Sequence, residues 1–355
     1  MKRAAMPTLL ALALGVPGAL AAQSSTYTLA GNAVAIYNLV GQATIQGGSG
    51  SAVTVEFTPV GADGKQLKAE TTEVHGRPAL VVQYPGDHIV YPALGRGSNS
   101  NFSIREDGTW GSYGDDEDRH WRRSDGRRIT VRGDGDGLEA AANLKITVPA
   151  GKRVAVFVGV GLVDVSNVDG DLRVDVASAD IRARETRGTL NLDTGSGDIK
   201  LDRASGTVSL DTGSGEVLVN GMTSGTLDID TGSGSVALSE VAVDDLKVDT
   251  GSGDVELTNV SSSRLDIDTG SGGIRASLRN SPSTMVVETG SGDVTLRLPE
   301  SLDATLDLDT GSGDLTVDFP LQLIKKSEGN IRGRIGEGKG RISVETGSGD
   351  ISLTK

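Results

Sequence analysis

From Asp193 onward one five-residue phrase keeps returning: Asp or Glu, then Thr-Gly-Ser-Gly, usually followed by another acid. It begins at Asp193, Asp211, Asp230, Asp249, Asp268, Glu288, Asp309 and Glu345, with successive spacings of 18, 19, 19, 19, 20, 21 and 36 residues. A unit this short cannot enclose a core of its own. Self-similarity at such a period therefore calls for a coil in which each unit is completed by its neighbours. A degenerate unit precedes these at Asp175-Val176-Ala177-Ser178-Ala179-Asp180, and another is expected around residues 156–161, which makes about ten rungs.

The residues flanking the phrase alternate. Before it, Leu190/Leu192, Leu227/Ile229, Leu246/Val248, Leu265/Ile267 and Leu306/Leu308 enclose polar Asn191, Asp228, Lys247, Asp266 and Asp307. After it, Ile199/Leu201, Val217/Val219, Val255/Leu257, Val294/Leu296 and Leu315/Val317 repeat the pattern. Period two means a strand with one face inward, so each rung sends about four aliphatic side chains into a narrow core. At roughly 1.5–3 kcal/mol for each buried side chain, stacked rungs hold together and a single rung does not. The expected fold is all-β, a right-handed parallel β-solenoid. The turns lie above one another, about 4.8 Å apart. Glycine there permits positive φ and close approach, so alanine at Gly232 or Gly251 is expected to be harmful where φ is positive. Thr and Ser hydroxyls can satisfy turn backbone groups.

The chain holds 50 glycines, 10 prolines and only 3% aromatic residues, a poor supply for the aromatic core of a globular enzyme. Its opening reads as a secretory leader over residues 1–22: Lys2 and Arg3, an apolar stretch from Leu9 to Leu20, then Ala19-Leu20-Ala21-Ala22 before Gln23. No second apolar segment is long enough to be a transmembrane anchor. The absence of cysteine excludes disulfides, a thiol nucleophile and a lipidated cysteine. The expected location is extracytoplasmic: periplasm, cell surface or medium. A formal charge of −14, or −16 once Lys2 and Arg3 leave with the leader, argues against nucleic acid as a partner.

The Thr-Gly-Ser-Gly-Asp rungs resemble the bacterial "putative adhesin" β-strand-repeat family. So do the entry segment Leu144-Lys145-Ile146-Thr147-Val148-Pro149-Ala150-Gly151 and the ending Ile335-Gly336-Glu337-Gly338-Lys339-Gly340-Arg341-Ile342. The likeness covers about residues 140–355. It implies a cell-envelope β-strand-repeat domain of unknown function and supplies no catalytic residues.

Ahead of the coil, Val34-Ala35-Ile36-Tyr37, Val53-Thr54-Val55-Glu56-Phe57 and Leu80-Val81-Val82-Gln83-Tyr84 read as strands that cap the first rungs. This divides the chain into a β-rich region over 23–143 and a solenoid over 144–355. Residues 95–137, rich in Gly, Asn, Asp and Arg with Trp110, Tyr113 and Trp121 interspersed, read as a loop. The long interval between Asp309 and Glu345 is expected to hold a degenerate rung or a hairpin.

No residue is assigned to catalysis, to a cofactor or to a metal. Asp-Thr-Gly suggests an aspartic protease, but that chemistry needs one carboxylate pair sharing a proton, and here the phrase recurs in tandem. Calcium is the alternative reading of the acids. Asp193, Asp211, Asp230, Asp249 and Asp268 form one column and Asp198, Glu216, Asp254, Asp293 and Asp314 a second, broken by Ser235 and Gly273. Against it, calcium solenoids repeat Gly-Gly-x-Gly-x-Asp every nine residues, and turn-capping or solvated carboxylates are the preferred reading. A polysaccharide-processing β-helix enzyme would need acids clustered on one outer face. The outward residues Lys200, Leu218, Ala237, Glu256, Arg275, Thr295 and Thr316 show no such cluster. His75, His88 and His120 share no ligand spacing, and Arg132-Gly133-Asp134 is read as a coincidental tripeptide. The expected role is an exported, non-catalytic scaffold with an unidentified protein or glycan partner at the surface.

Overall fold

The computed structural model describes residues 24–111 and 126–355; the stretch read as a leader, Tyr113, His120 and Trp121 fall outside them. The repeat becomes the circumference of a β-solenoid. One strand carries the chain into each Thr-Gly-Ser-Gly corner and a second carries it out, as in Gly225–Thr231 and Val236–Ser239. Equivalent residues of successive rungs pair in parallel and in register. On the first face Leu192 lies beside Leu210, then Ile229, Val248 and Ile267. On the second, Ile199 lies beside Val217, Val236, Val255, Ile274 and Val294. All of these are buried, so the alternation read from the sequence is the alternation of the core.

The far corner of each rung is built from residues with no common phrase. Asn167, Glu185, Arg203, Glu240 and Asn259 sit there in the left-handed region at φ 53–56°, with Gly221 in the same place at 74°. A non-glycine residue pays roughly 1–2 kcal/mol for that conformation. Contacts along the corner offset it: Arg203 donates to Glu185 at 2.9 Å and Asn259 to Glu240 at 2.8 Å. The next residue of each corner, Val168, Thr186, Ala204, Met222, Val241 or Val260, points inward and is buried.

The stacking order departs from the chain order at both ends. Strand Ala33–Gly48 is itself a rung. Its length pairs in parallel with strand Lys152–Ser166, its first part with Arg77–Gln83 and its last part with Ala141–Pro149. The coil therefore begins with this early strand, not at residue 144, because Val34, Ile36, Ala43 and Ile45 supply the same inward positions as later rungs. Antiparallel strands Lys68–Val74, Val53–Val60 and Ser25–Leu29 finish this end. At the other end, Gly340–Thr346 lies between Thr284–Thr289 and Ala304–Thr310, and Ile351–Thr354 lies between Val294–Arg297 and Leu315–Val317. The 36-residue interval is thus a detour. The chain forms the outermost rung, turns through an antiparallel hairpin of Gln322–Ser327 and Asn330–Ile335, and returns to slot its last rung one layer inward. The Asp303 carboxylate holds the returning chain by accepting the N–H groups of Gly338 and Lys339, at 2.6 and 3.0 Å.

The segment read as a loop contains two strands. Asn99–Ile104 and Arg127–Arg132 join His88–Val90 in a separate three-stranded sheet. Phe102, Ile104, Trp110, Ile129 and Val131 are buried, so its polar composition hid a small apolar face. This sheet covers the outside of the first rungs, where Tyr37 stacks on Phe157 at 4.6 Å and Trp110 meets Phe157 edge-on at 5.9 Å.

One buried polar network fixes the first corner. The Tyr84 hydroxyl lies 2.8 Å from both Asn38 Oδ1 and Val40 O, which share its single proton, and accepts the Val40 N–H at 3.2 Å, while Asn38 Nδ2 donates to Ala142 O at 2.9 Å. Burial pushes the Tyr84 hydroxyl far above the usual tyrosine range, so it stays protonated. Tyr84→Phe strands these partners in a dry interior and is expected to cost about 1–3 kcal/mol in chemical unfolding. A loss no greater than that of an exposed Tyr→Phe change would show that the network is not needed.

Candidate functional site

The Thr-Gly-Ser-Gly corner is a stacking device, in which the Thr and both glycines engage the neighbouring rung. The Thr side chain points inward. Thr194, Thr212, Thr250, Thr269, Thr289, Thr310 and Thr346 are buried and donate to a turn carbonyl one rung away at 2.9–3.2 Å. Thr231 is the exception among them: its hydroxyl is buried without a partner. The two glycines answer to crowding and not to φ. Neither Gly232 nor Gly251 has positive φ, but a Cβ there would lie 2.6 and 2.5 Å from the carbonyl oxygen of Gly213 and Gly232. The second glycine is tighter still, at 1.9 Å for Gly215 and 1.8 Å for Gly234. The harm expected of alanine therefore has a different cause from the one the sequence suggested.

The acid after the phrase caps backbone. Asp180, Asp198, Asp254, Asp293 and Asp350 each accept the N–H of the equivalent residue in the next rung, at 2.8–3.1 Å. Asp198, Asp254 and Asp293 of this second column are thus occupied with turn capping. Among the described residues no group of three or more His, Cys, Asp or Glu is arranged to hold a metal ion.

The acid before the phrase is different, because it faces outward. Asp193, Asp211, Asp230, Asp249, Asp268, Glu288, Glu345 and Asp309 follow one another in register. This ladder starts at Asp175, where the aromatic cover ends, and finishes at Asp309, whose carboxylate accepts Asn330 Nδ2 at 2.8 Å. Burial raises the pKa of Asp175, with relief from Arg173 at 3.3 Å. Burial first, then the neighbouring Asp175, raises Asp193. Asp211 is raised by burial, Asp193 and Asp230, and Glu288 by burial, Glu345 and Asp268.

These shifts fix a sign. A carboxyl whose folded pKa lies above its unfolded value favours the fold most when protonated, and that stability is lost as pH rises through the folded value. The melting temperature should therefore climb as pH falls from about 7 toward the ordinary carboxylate range near 4. At a separation of about 5 Å, like charges repel by roughly 0.8 kcal/mol in water. Asp193→Asn should accordingly stabilise the protein by about 0.5–1 kcal/mol at neutral pH and by less in acid or high salt. A destabilised Asn variant at neutral pH would count against repulsion along the ladder. Asp303 acts oppositely: the N–H groups of Lys339 and Gly338 hold it below the usual range, so its contribution disappears only in stronger acid.

The second face carries a shallow trough of about 880 Å³. Its floor runs across rungs through Thr44, Asp164, Arg182, Lys200, Leu218, Ala237 and Glu256. The last four were recognised in the sequence as outward and dissimilar. Their concave arrangement, and the contribution of Thr44 and Asp164 from two strands far apart in the chain, depend on the out-of-order rung and were invisible there.

The remaining singled-out residues have structural surroundings. Trp110 is buried between Phe102 and Phe157. His75 occupies a hairpin turn at φ 49°, and His88 begins the small covering sheet. In Arg132-Gly133-Asp134, a Cβ on Gly133 would meet the Gly95 carbonyl at 1.7 Å and Asp134 accepts the Gly97 N–H at 3.3 Å, so the glycine is packed while Arg132 and Asp134 are exposed. No helix among the described residues is long and apolar enough to cross a membrane.

No curated protein matches the chain. Among solved structures, a "putative cell adhesion protein" from Clostridium sporogenes is 12% identical over 94% of this chain and 98% of that one. Its TM-score of 0.20 gives the likeness no weight. The family model described as Toastrack, a domain of unknown function (DUF4097), matches residues 117–354. Its span takes in the Thr-Gly-Ser-Gly rungs and the inserted last rung, and the chain belongs to the Toastrack family.

Proposed function

We propose that the chain is an exported, non-catalytic scaffold that presents its outer acidic face for adhesion or assembly in the cell envelope. The supporting observation is the division of labour within the repeat. The Thr, both glycines and the following acid are engaged with neighbouring rungs, and the preceding acid is left outside as an unbroken column. A surface of that kind suits a long cationic partner better than a small substrate, since nothing in the repeat distinguishes one rung from the next. The leader-like opening supports a location outside the cytoplasm.

The test measures adhesion of immobilised protein to cationic and anionic polymers and to envelope fractions, comparing the native chain with a variant carrying Asn at Asp211, Asp230, Asp249 and Asp268. Salt-sensitive capture of cationic material, lost in the variant, is the expected result. Equal binding by both proteins would remove the acidic face from the function. Turnover of a polysaccharide, abolished by changing Asp164, Asp202 or Glu256 in the trough, would replace the scaffold reading with an enzymatic one.

A further inference from the structure

The two ends of the coil carry opposite charges on the open edges of one sheet. That sheet starts at strand Lys68–Val74, passes through every rung of the first face, and ends at strand Gln322–Ser327. Among the described residues each of these outer strands has a partner on one side only, Arg77–Gln83 for the first and Asn330–Ile335 for the second. An unpaired strand edge is a template for another strand. The first edge exposes Glu70 and Glu73 with Lys68 at its start, a net negative edge; the second exposes Lys325 and Lys326. None of Glu70, Glu73, Lys325 and Lys326 has an ion-pair partner among the described residues. Leu323 and Ile324, 55% and 70% exposed, lie on the second edge and are the large hydrophobic residues left in solvent among the described residues.

We infer that the protein assembles head to tail, with Gln322–Ser327 of one copy pairing with Lys68–Val74 of the next. The strand directions suit this arrangement. Lys68–Val74 runs against the rungs, whereas Gln322–Ser327 runs with them, being antiparallel to a strand that is antiparallel to Ala304–Thr310. A second copy stacked in the same orientation thus meets the edge as an antiparallel neighbour and continues the sheet. Facing is consistent too. Lys325 lies beside Arg332 and hence on the side of Asp307, and Glu70 lies beside Val81 and hence on the side of Tyr37, which is the same outer face. Pairing Lys325 with Glu70 then sets Ile324 and Leu323 against Thr71 and Thr72. Pairing of the basic edge with itself would instead gather Lys325 and Lys326 of both copies into one short ribbon without a counter-charge. Copies stacked in one orientation along the coil axis leave an open edge at each end, so this contact between two different surfaces gives a filament that prolongs the coil axis and not a ring. This inference holds whether or not the outer face binds a partner.

The test is sedimentation velocity and electron microscopy of protein beginning at Gln23, at rising concentration and in low and high salt. Concentration-dependent linear oligomers one coil wide are expected, shortened by salt. Lys325→Glu and Glu70→Lys should each weaken association at least tenfold while leaving the melting temperature and circular dichroism unchanged. Mixing the two variants should restore filaments, because each then offers the edge the other needs. A protein that stays monomeric at all concentrations, a dimer that does not extend, or assembly indifferent to both charge reversals would overturn the proposal.

Discussion

Gly234→Ala is expected to destabilise the coil by about 3 kcal/mol, the upper part of the usual range for forcing one carbon into a packed interior. Its Cβ would lie 1.8 Å from the Gly215 carbonyl oxygen. The obstacle is main chain in a neighbouring turn, not the movable tip of a side chain. Relief requires two rungs to separate at that corner, which also strains the Thr250 bond to the Gly234 carbonyl. Gly273→Ala is the matched control: it adjoins the same corner, its φ is not positive, and its Cβ would have nothing nearer than 3.6 Å. That change should stay within about 0.5 kcal/mol. Denaturant melts of both variants, with hydrogen exchange resolved by rung, check the pair. Equal losses at the two positions would mean that glycine is needed for backbone freedom and not for clearance.

Removing residues 338–355 is expected to have the larger effect of the two, because it takes out an inner layer of the stack. Among the described residues, the missing strands are the only parallel neighbours of Ala304–Thr310 and Leu315–Val317. Ile342, Val344, Ile351 and Leu353, all buried, leave together, a loss of roughly 6–12 kcal/mol of apolar burial at 1.5–3 kcal/mol per side chain. Residues 303–335 should become sensitive to protease and exchange rapidly, while rungs before Thr284 keep their protection, as nearest-neighbour stacking requires. A truncated chain whose outermost rung stays protected would show that this rung can close the gap and dock directly on Thr284–Thr289. The shared Thr-Gly-Ser-Gly phrase makes that the natural competing register.

The rung was legible in the sequence because its determinants are local. Alternation set the inward face, and the phrase marked the corner. The preceding and following acids were distinguishable as two columns, but capping and solvation stood as equal roles for both, and only the structure gives capping to acids of the second. What stayed hidden was whatever depends on which strand lies next to which. Nothing in Val34-Ala35-Ile36-Tyr37 reveals that it enters the stack before residue 144, since its neighbours come from strands Arg77–Gln83 and Lys152–Ser166. The unequal last spacing signalled a detour, and a hairpin was among the expected contents, but spacing alone does not say that the chain returns inside its own last rung. The 95–137 segment was misread for a different reason. Its charged residues outnumber the five side chains that anchor it, and sparse anchors separated by Gly and Asp do not register as periodicity. The trough has no sequence signature at all, because its shape belongs to the curvature of the second face.

Strand Ile351–Thr354 is hydrogen-bonded on both flanks, by Val294–Arg297 and by Leu315–Val317. A tension applied through the carboxyl end therefore cannot unzip an outermost layer bond by bond. It must drag a strand lengthwise out of a slot, shearing two ladders at once while the outer rung holds the slot shut. Tethered by that end to a surface in flow, the molecule would hold until that strand slides from its slot, and the hairpin behind it would carry no load before then.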